Sequence, residues 1–558
     1  MSAPAPVTRL LPSEGACIMN SSMESQCLAL RDLPHTTKLF ATFIENFERV
    51  SRYYAHPPTE AGVLSAAREV RLAPEARARV VEVLREQNRR LGADASTGKN
   101  IDRLAKGAVA IVTGQQVGLF LGPAYSVYKA LSAIRWADKI TRRGTDAVPI
   151  FWLATEDHDL AEVNQSDWNT RNGLAHYELP LREEDSGHRV GEVALSEAVV
   201  PLVAKAAESL EGTFSQEIAR ALRDSYAPGE TYGSAFGKLM ARILTGRGII
   251  FIDPLDARLH ELAAGVYRKA LDGADSLREA LSARSNELDR GGFHAQVKVT
   301  RETTLLFYNV NGRRQPVRRR NGKFSAGAAS FSQDELRAAI DRDPEAFTAN
   351  VLLRPVVQDT ILPTAAYIGG PAEIAYMAQA QVAYKMVLGR MPAMLTRAGF
   401  TLVEPPIARL LKKYGLEVRD VFRGRQHLRS KMEQKSVPRA LESRFAADEK
   451  GLRRLLKAYR KPLERLDRTL LGALDVAEGK ILHQFLNLRE KAGRAQNLRT
   501  GVLDRHEQLL LDALCPHRDV QERRLSSLPF LAGYGPEFLD TLARQIDLDS
   551  PQHHILFL

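Results

Sequence analysis

The chain contains few cysteines and no long apolar run. Its three cysteines, Cys17, Cys27 and Cys515, show neither a CxxC spacing nor a histidine partner at zinc-finger distance. This argues against a disulfide framework and a structural zinc site, and it fits a reducing cytosol. A catalytic cysteine is also disfavoured, because Cys17 lies in the predicted extension and Cys27 and Cys515 lie near the two ends of the chain. No apolar run approaches the roughly 20 residues that a membrane helix needs. The N-terminus also lacks a basic segment followed by an apolar one, so we expect no secretory signal and a cytoplasmic protein.

Positive charge is in excess but is not concentrated in one block. The net charge of +11 suits nucleic acid or small anionic substrates. The largest basic excess spans about residues 409–505, and aromatic residues that could stack on RNA bases are sparse there. Solvated helix faces are the favoured explanation, so nucleic acid is a disfavoured partner. Arginines at 313–314 and 318–320 flank a β-hairpin turn predicted near Asn321-Gly322.

Five short apolar runs separated by helical patterns predict a doubly wound parallel sheet. The predicted strands span residues 108–113, 148–155, 248–253, 364–368 and 393–396. Two gaps between them are too long for single crossovers and predict inserted subdomains at about residues 170–245 and 265–355. Alternating segments at 294–299 and 305–310 predict antiparallel strands in the second insertion. The predicted fold class is therefore α/β, a Rossmann-type doubly wound parallel sheet with inserted connecting subdomains and a C-terminal helical coiled-coil arm.

Composition divides the chain into five predicted segments. Residues 1–22 are a disordered extension, with Met23 as an alternative start, and residues 23–106 are an N-terminal helical segment of the core. The Rossmann-type core spans 107–404, the antiparallel coiled-coil arm 405–500, and a helical segment that packs on the core 501–558.

The arm is predicted from an apolar repeat. Apolar residues from Tyr459 to Leu488 recur every three or four positions and predict one long helix, with Pro462 marking a kink or a helix start. Its predicted partner is an earlier helix around residues 407–433. The resulting hairpin is either a dimerisation element or purely intrachain.

A glycine-rich loop follows the first predicted strand. It reads Thr-Gly-Gln-Gln-Val-Gly-Leu-Phe-Leu-Gly-Pro over residues 113–123, and Pro123 stands where a first helical residue is expected. A strand, a glycine loop and a helix N-terminus together are typical of an anion or nucleotide site. Gly114 and Gly118 allow close backbone approach, and the two glutamines suit hydroxyls and carboxylates. A tight turn that only packs is the alternative.

Two further elements are predicted to face the same site. The helix after the loop places Tyr125, Tyr128, Lys129 and Ser132 on one face, where Lys129 either meets an anion or is solvated. A second loop, residues 367–373, reads Tyr-Ile-Gly-Gly-Pro-Ala-Glu and again opens a helix. Two helix N-termini at one sheet edge suit an anionic substrate. In the second insertion, His294 and Gln296 alternate onto one face that either overhangs this site or has no functional role.

The second predicted strand ends in four ionisable residues, Glu156 to Asp159. Ligands bind outside the carboxyl ends of strands in open parallel sheets, and such a run is costly unless its members meet a ligand or one another. Asp159 with Glu162 matches a capping box, a structural role. Capping does not explain Glu156, Asp157 and His158, which could hold an ammonium group, act as a base or bind a metal. Because neighbouring side chains diverge, ligation of one ion by all three is disfavoured, and no metal site is predicted.

These motifs resemble the bacillithiol-biosynthesis cysteine-adding enzyme (BshC) family. The likeness lies in residues 113–125 with Lys129, in 151–164, 293–297 and 362–376, and again in 528–532 and 546–550. It implies a Rossmann-type core, a coiled-coil arm that forms a homodimer, and a cytosolic ligase. The implied substrates are cysteine and glucosaminyl-malate, which the enzyme joins through an amide bond to the sugar amine in the last step of bacillithiol biosynthesis.

The implied chemistry leads us to a hypothesis for the roles of individual residues. Glu156, Asp157 or His158 would orient or deprotonate the sugar amine, while the two glycine loops and Lys129 would hold the malate and cysteine carboxylates. The predicted substrate-binding residues are Thr113, Gly114, Gln115, Gln116, Gly118, Gly122, Pro123, Tyr125, Lys129, Trp152, Asp159, Asn164, His294, Gln296, Gly369, Gly370, Pro371, Glu373 and Tyr376.

The activating step stays open at this point. The family core is similar to class I aminoacyl-tRNA synthetases, which use ATP through a His-x-Gly-His motif and a Lys-Met-Ser-Lys-Ser loop. Residues 113–132 contain no histidine, and residues 431–436, Lys-Met-Glu-Gln-Lys-Ser, match the second motif loosely and fall in the arm. The cofactor is therefore unknown, with ATP and Mg²⁺ as the candidate. The alternatives are a Rossmann-type nucleotide- or RNA-binding protein without ligase activity, and a ligase for another sugar amine.

Overall fold

The computed structural model describes residues 24–435 and 439–558. The predicted extension at 1–22, Met23 and the last residue of the loose synthetase-like motif, Ser436, lie outside the described residues. The chain divides into two compact units, the first containing Gln26–Phe400 and Glu522–His554, the second Thr401–Gln521 and Ile555–Leu558. The finer boundaries given above stay predictions.

The strands are short and are distributed along the whole chain. In chain order they are β1 (Ser25–Leu28), β2 (Val109–Gln115), β3 (Ala147–Leu153), β4 (Gln165–Thr170), β5 (Gly173–Glu178), β6 (Ile250–Ile252), β7 (Thr303–Val310), β8 (Arg313–Arg320), β9 (Lys323–Ala326), β10 (Ala329–Phe331), β11 (Phe347–Ala349), β12 (Thr364–Gly369), β13 (Ala393–Thr396), β14 (Gly399–Val403) and β15 (His553–Phe557).

The helices make up most of the ordered chain. Those before residue 400 are α1 (Lys38–Glu45), α2 (Glu60–Glu69), α3 (Pro74–Arg90), α4 (Ala95–Ala105), α5 (Tyr125–Arg142), α6 (Leu160–Val163), α7 (Val199–Glu208), α8 (Ser215–Ser225), α9 (Tyr232–Ile243), α10 (Ala257–Asp272), α11 (Ala274–Arg290), α12 (Gln333–Arg342), α13 (Arg354–Ile361) and α14 (Pro371–Ala383). After residue 400 follow α15 (Pro405–Tyr414), α16 (Val418–Phe422), α17 (Arg425–Gln434), α18 (Arg439–Ala458), α19 (Arg460–Leu466), α20 (Leu470–Thr500), α21 (Val502–Leu514), α22 (Leu528–Tyr534) and α23 (Phe538–Gln545). Throughout the described part of the chain, no helix combines the length and the apolarity that a membrane crossing requires.

A five-stranded parallel sheet forms the centre of the first unit. Its order is β13-β12-β2-β3-β6, and its four pairings are all parallel. These are the five strands predicted from the apolar runs, and the predicted doubly wound fold is confirmed. Nearly every residue of β2, β3 and β12 is buried, which explains the absence of polar alternation in their sequences. The chain adds strands first on one side of β2 and later on the other, so the switch point lies at the carboxyl ends of β2, β3 and β12.

The second insertion contains an antiparallel sheet of order β10-β9-β8-β7-β11. Two-residue Asn-Gly turns join β7 to β8 and β8 to β9, with φ of 53° and 79° at Asn311-Gly312 and of 48° and 79° at Asn321-Gly322. Two positive φ values are what a type I′ hairpin turn requires, and asparagine and glycine tolerate them best. The hairpin predicted at Asn321-Gly322 is confirmed.

The strand predicted at residues 294–299 is wrong, because the structure has no strand there. The side-chain amide of Gln379 makes the hydrogen bonds to this backbone that a neighbouring strand would otherwise make. Its Oε1 accepts from the Val297 N–H at 2.8 Å, and its Nε2 donates to the Val297 carbonyl at 2.9 Å. The predicted strand at 305–310 lies within β7 and pairs antiparallel as expected.

The arm in the second unit is an antiparallel pair formed by α18 and α20. The Phe445 and Phe485 rings meet edge to face at 5.4 Å, and Arg489 Nε donates to Glu442 Oε2 at 2.9 Å. The coiled-coil prediction is confirmed. Besides α18, α20 contacts α17, which lies in the predicted partner region around residues 407–433. The predicted single helix from 459 to 488 is interrupted after α19, where the Asp467 carboxylate accepts from the Thr469 N–H at 2.8 Å. Pro462 lies in the first turn of α19, in agreement with a helix start.

Candidate functional site

A cavity of about 640 Å³ opens at the carboxyl ends of β2, β3 and β12. Its wall combines the two glycine loops, the start of α14, the acidic run after β3 and residues from three strands of the inserted sheet, β7, β8 and β11. This is the sheet edge at which ligands bind in open α/β folds. The volume is that of a small-molecule site.

The first loop brings its backbone close to the neighbouring strand. A Cβ on Gly114 would lie 2.8 Å from the Trp152 carbonyl oxygen, and one on Gly118 would lie 3.0 Å from the Gly122 Cα. Glycine is therefore required at both positions for steric reasons. Gly122 has a φ of 59°, which also favours glycine. The helix begins at Tyr125 and not at Pro123, so the predicted place of that proline as first helical residue is wrong by two positions.

Lys129 is buried and paired. It is 2% exposed, and its Nζ lies 2.6 Å from Glu373 Oε2. The same ammonium donates to the Gly114 carbonyl at 2.8 Å and to Gln115 Oε1 at 2.9 Å. Three acceptors use all three of its protons. Lys129 is therefore not solvated, and the anion that it meets is the Glu373 carboxylate of the chain itself.

Glu373 joins the second loop to this cluster. Its carboxylate accepts from the Tyr367 hydroxyl at 2.6 Å and from the Gly370 N–H at 2.8 Å, besides the Lys129 ammonium. Although burial opposes ionisation, these partners hold the pKa of Glu373 below its ordinary value. Pro371 is the first residue of α14, as predicted. The Lys129–Glu373 pair therefore links the two glycine loops across the sheet edge.

Glu156, the first acidic residue after β3, lines the cavity and is only 7% exposed. Burial raises its pKa to about 7, even though the positive charges of Arg314, Arg189 and Arg354 act in the opposite direction. A carboxyl with this pKa exchanges its proton near neutral pH, which is the property of a general base or acid.

Asp157 next to it is held ionised. Its carboxylate accepts from Gln116 Nε2 at 3.0 Å and from the His158 N–H at 2.8 Å. Although burial opposes ionisation, hydrogen bonds from His158 and Gln116 and the charge of Arg314 keep the pKa of Asp157 well below its ordinary value. Two adjacent carboxyls thus have opposite shifts, which is a mark of acid–base sites.

Arg314 extends from β8 into this part of the cavity. Its Nε donates to Thr348 Oγ1 and its Nη2 to the Ala349 carbonyl, both at 2.9 Å. Its Nη1 lies 2.9 Å from His158 Nδ1. Since a guanidinium only donates, Nδ1 accepts, and a neutral His158 carries its proton on Nε2. The guanidinium also stacks on the Phe307 ring at 3.7 Å, so it is fixed in place before any ligand binds.

Sequence reasoning missed three further arginines that line the cavity. Arg354 begins α13, Arg397 follows β13, and Arg523 lies before α22. Arg397 is 7% exposed and its Nη2 lies 2.6 Å from Glu522 Oε1. The position of Arg397 directly after a core strand is a signal that could have revealed it. With Arg314, these side chains bring four guanidinium groups into the cavity lining.

Many of the predicted site residues are brought together in this cavity. Those that line it are Gly114, Gln115, Gln116, Tyr125, Lys129, Trp152, Glu156, Asp157, His158, Gly370, Pro371, Glu373 and Tyr376. Those that do not are Thr113, Gly118, Gly122, Pro123, Asp159, Asn164, His294, Gln296 and Gly369.

Several residues outside the cavity have structural contacts instead. The Thr113 hydroxyl donates to the Ile368 carbonyl at 3.0 Å and so joins β2 to β12. Asn164 is buried and donates to the Leu179 carbonyl at 3.0 Å. His294 and Gln296 are exposed, and Val297 is the residue of that segment that lines the cavity.

The predicted capping box of Asp159 with Glu162 is wrong. The Asp159 side chain makes no capping hydrogen bond to α6. Glu162 Oε2 instead accepts from Gln116 Nε2 at 2.6 Å. Gln116 therefore binds two carboxylates, those of Glu162 and Asp157, and holds the acidic run against the first glycine loop.

The residues present are compatible with a phosphate-bearing cofactor. Arginine guanidinium groups such as those of Arg314 and Arg354 are the side chains that best match phosphate oxygens. Residues 24–435 and 439–558 contain no group of three or more His, Cys, Asp or Glu side chains that could hold a metal ion. Mg²⁺ bound with a nucleotide needs only one or two protein carboxylates beside phosphates and water.

Comparison with known proteins identifies the family. Residues 23–398 match the family described as "Bacillithiol biosynthesis BshC, N-terminal Rossmann-like domain", and residues 400–558 match "Bacillithiol biosynthesis BshC, C-terminal coiled-coil domain". The chain belongs to the BshC family. The family and the fold class predicted from the sequence are thereby confirmed.

Full-length relatives in the BshC family carry the name "Putative cysteine ligase BshC". The one from Koribacter versatilis is 39% identical over 539 residues and covers 96% of this chain and 100% of the relative. The one from Solibacter usitatus is 37% identical with coverage of 96% and 100%, and the one from Salinibacter ruber is 30% identical with coverage of 93% and 96%. These names agree with the predicted enzyme class, a carbon–nitrogen ligase, and leave ATP dependence open.

A solved structure of Mycobacterium tuberculosis methionyl-tRNA synthetase in complex with methionyl-adenylate is 12% identical and covers 78% of this chain and 91% of that one. Its TM-score of 0.22 is too low to support a structural argument.

Proposed function

We propose that this BshC family member joins L-cysteine to glucosaminyl-malate through an amide bond to the sugar amine, in the last step of bacillithiol biosynthesis. The observation that carries the proposal is that Glu156, a buried carboxyl with a pKa of about 7, and four arginines line one small-molecule cavity. Amide formation needs a group that accepts the amine proton, and both substrates carry carboxylates that need cationic partners.

Glu156 is the proposed base. The new bond forms between the cysteine carbonyl carbon and the sugar nitrogen, an activating group leaves that carbon, and the nitrogen loses a proton to the Glu156 carboxylate. Asp157, held ionised beside it, would attract and orient the amine. His158, with Nδ1 occupied by Arg314, has Nε2–H as its donor toward a substrate oxygen.

The arginines are the proposed carboxylate partners. Arg314 is stacked and anchored on the Glu156 side of the cavity, and Arg354 and Arg397 lie on the side of the second glycine loop. Malate supplies two carboxylates and cysteine one, so several separate cationic positions suit the pair of substrates. Lys129 is saturated by Glu373 and the first loop. Its role in this proposal is therefore to position the loops and not to touch substrate.

ATP with Mg²⁺ is the candidate source of activation for the cysteine carboxyl. If it binds, it would supply a leaving group on that carboxyl. Arg314 and Arg354 would then hold its phosphates, and the substrate carboxylates would be left to Arg397 and Arg523.

Mass spectrometry of the purified protein with glucosaminyl-malate and cysteine, with and without ATP and Mg²⁺, tests the proposal. We expect the amide product, and we expect Glu156→Gln to reduce its rate of formation by about 10²–10⁴-fold, the usual contribution of general acid–base catalysis. Absence of product in every condition, with neither substrate bound in calorimetry, would refute the proposal. Product from another sugar amine only, or salt-sensitive RNA binding without any product, would support one of the two alternatives.

A homodimer formed through the arm is also proposed. Large apolar side chains on the arm remain exposed within the single chain, among them Leu455 at 56%, Leu466 at 78% and Leu488 at 56%. Such residues on helices of a coiled coil are typical of a surface that a second copy covers. Light scattering coupled to size-exclusion chromatography distinguishes a dimer from a monomer of 61.9 kDa.

A further inference from the structure

A buried histidine lies beside Glu156. His260, at the end of the first turn of α10, is 2% exposed, and its Nε2 lies 3.6 Å from Glu156 Oε1. Within the part of the chain that the structure describes, this Nε2 makes no hydrogen bond of standard geometry, although the Phe347 backbone acts on the ring. A buried polar atom without a partner is rare in native proteins and calls for an explanation. His260 does not line the cavity, so any effect on the reaction passes through Glu156.

The other ring nitrogen of His260 is held by its own helix. Tyr267 follows seven residues later, about two turns along α10, so the two side chains share one face. The Tyr267 hydroxyl lies 3.2 Å from His260 Nδ1, and both side chains are buried. When the phenol donates to Nδ1, the neutral imidazole carries its proton on Nε2, the nitrogen nearest Glu156.

The imidazole is neutral in this environment. Burial and the positive charge of Arg189 lower the pKa of His260 to about 4. A neutral ring with its proton on Nε2 can donate to a carboxylate without adding a charge. The charged groups that face the Glu156–His260 pair from the surrounding elements are Arg189, Glu192, Asp253, Asp256, Arg314 and Arg354. All of these are retained when His260 alone is replaced.

The geometry points to His260 as a positioning residue that donates from Nε2 to Glu156 Oε1 and thereby orients the base. The separation of 3.6 Å is longer than a hydrogen bond. Catalytic hydrogen bonds are often long in the ligand-free protein and shorten in the substrate complex. The activity readouts of this inference rest on the proposed function, whereas the titration described below does not.

Two variants at His260 separate donation from packing. His260→Leu fills the site with a side chain that cannot donate, and His260→Gln keeps an amide donor at the position of Nε2. Loss of a donor to a carboxylate raises the pKa of that carboxyl. We therefore expect the acidic limb of the kcat–pH profile to move upward by about one pH unit in His260→Leu. In His260→Gln, the acidic limb should lie close to its wild-type pH. KM for both substrates should be unchanged in both variants.

A titration independent of turnover completes the test. Protein labelled with ¹³C at glutamate carboxyls is titrated by NMR, and Glu156→Gln identifies the Glu156 signal. We expect this signal to titrate at higher pH in His260→Leu than in the wild type, and close to the wild type in His260→Gln. Tyr267→Phe should move it in the same direction by less, because the ring then loses the partner that sets its tautomer.

The outcomes keep the two proposals apart. Unchanged Glu156 titration in a folded His260→Leu protein overturns the role of His260, whether or not product forms. Equal losses of kcat at every pH in both His260 variants overturn it too, because they would show a packing effect. If the wild type makes no product, the proposed function fails, and the NMR titration alone decides whether His260 binds Glu156.

Discussion

Replacement of Glu156 by glutamine should stabilise the protein, and the gain should grow with pH. Burial raises the pKa of Glu156 from an ordinary 4.5 to about 7. The folded state therefore binds a proton over a pH range in which the unfolded chain has released it. Stability is lost as pH rises through this window, because the unfolded state binds fewer protons there. Glutamine has no proton to release and removes this loss.

The size of the effect follows from the shift. One pKa unit corresponds to about 1.4 kcal/mol, so ionised Glu156 costs about 3 kcal/mol of folding free energy at pH 8. At pH 5 the raised pKa costs only about 1 kcal/mol of folding free energy, because the carboxyl stays protonated in the folded state. The expected gain of Glu156→Gln over the wild type is therefore larger at pH 8 than at pH 5 by about 2 kcal/mol.

Denaturant unfolding followed by tryptophan fluorescence measures this gain in stability for the compact unit that contains Glu156. All three tryptophans, Trp136, Trp152 and Trp168, lie in the unit that contains the central sheet. The signal therefore reports the unfolding of that unit and not of the arm. Contacts that the amide gains or loses are the same at both pH values and cancel in the comparison. A gain that does not change between pH 5 and pH 8 would refute a raised pKa at Glu156.

Asp157→Asn is the matched control and should have the opposite sign. The pKa of Asp157 lies below its ordinary value, so its carboxylate contributes stability above the unfolded-state pKa and loses it as pH falls. The asparagine variant should be less stable than the wild type at pH 8 and approach it at acidic pH. The same slope in both variants would indicate a general effect of removing charge from the site.

Three other substitutions test the contacts around the cavity. Gly114→Ala should cost about 1–3 kcal/mol in the same fluorescence assay, because the new Cβ meets the Trp152 carbonyl. Lys129→Met should cost about 3 kcal/mol, because it leaves the Glu373 carboxylate buried without its cation. Arg314→Lys should lower kcat/KM by about 10–100-fold, since lysine keeps the charge but loses the fork of donors.

Each of these three substitutions has a control variant in the same compact unit of the protein. Gly98 in α4 has open space around its Cβ position, so Gly98→Ala should be neutral or stabilising. Adding Glu373→Gln to Lys129→Met should recover part of the loss, and strict additivity would contradict a coupled pair. Arg313→Lys, at the exposed neighbour of Arg314, should leave kcat/KM unchanged, and a loss equal to that of Arg314→Lys would mean that only overall charge matters.

The core strands and part of the site could be predicted from the sequence, because ligands in open parallel sheets bind at the carboxyl ends of the strands. Parallel strands covered on both faces have continuous apolar sequences, so the apolar runs predicted all five core strands. Side chains that follow such strands meet at one edge, which located Gly114, Glu156 and Gly370 in the same cavity. Arg397 follows β13 in the same way, and the rule applied to every strand would have found it.

The remaining site residues could not be predicted because their signal is tertiary. Arg314 lies in a strand whose neighbours, Arg313 and Arg318 to Arg320, resemble a solvated face, and only the register of the inserted sheet directs it to Thr348 and Ala349. The predicted capping box of Asp159 with Glu162 was wrong for a related reason. Glu162 has the right spacing from Asp159, but Gln116, more than 40 residues earlier in the chain, is its partner in the folded protein.

The distribution of positive charge bears on the choice between a ligase and a polyanion-binding protein. The net charge of +11 is compatible with both when only the sequence is considered. In the fold, Arg314, Arg354, Arg397 and Arg523 converge on one cavity of about 640 Å³. Arg397 and Arg314 are moreover held by buried contacts. A nucleic acid backbone is bound by mobile, accessible cations along an extended surface. Fixed guanidinium groups around a small cavity, with an ionisable carboxyl between them, suit a small dicarboxylate whose reacting amine must lie at one defined position.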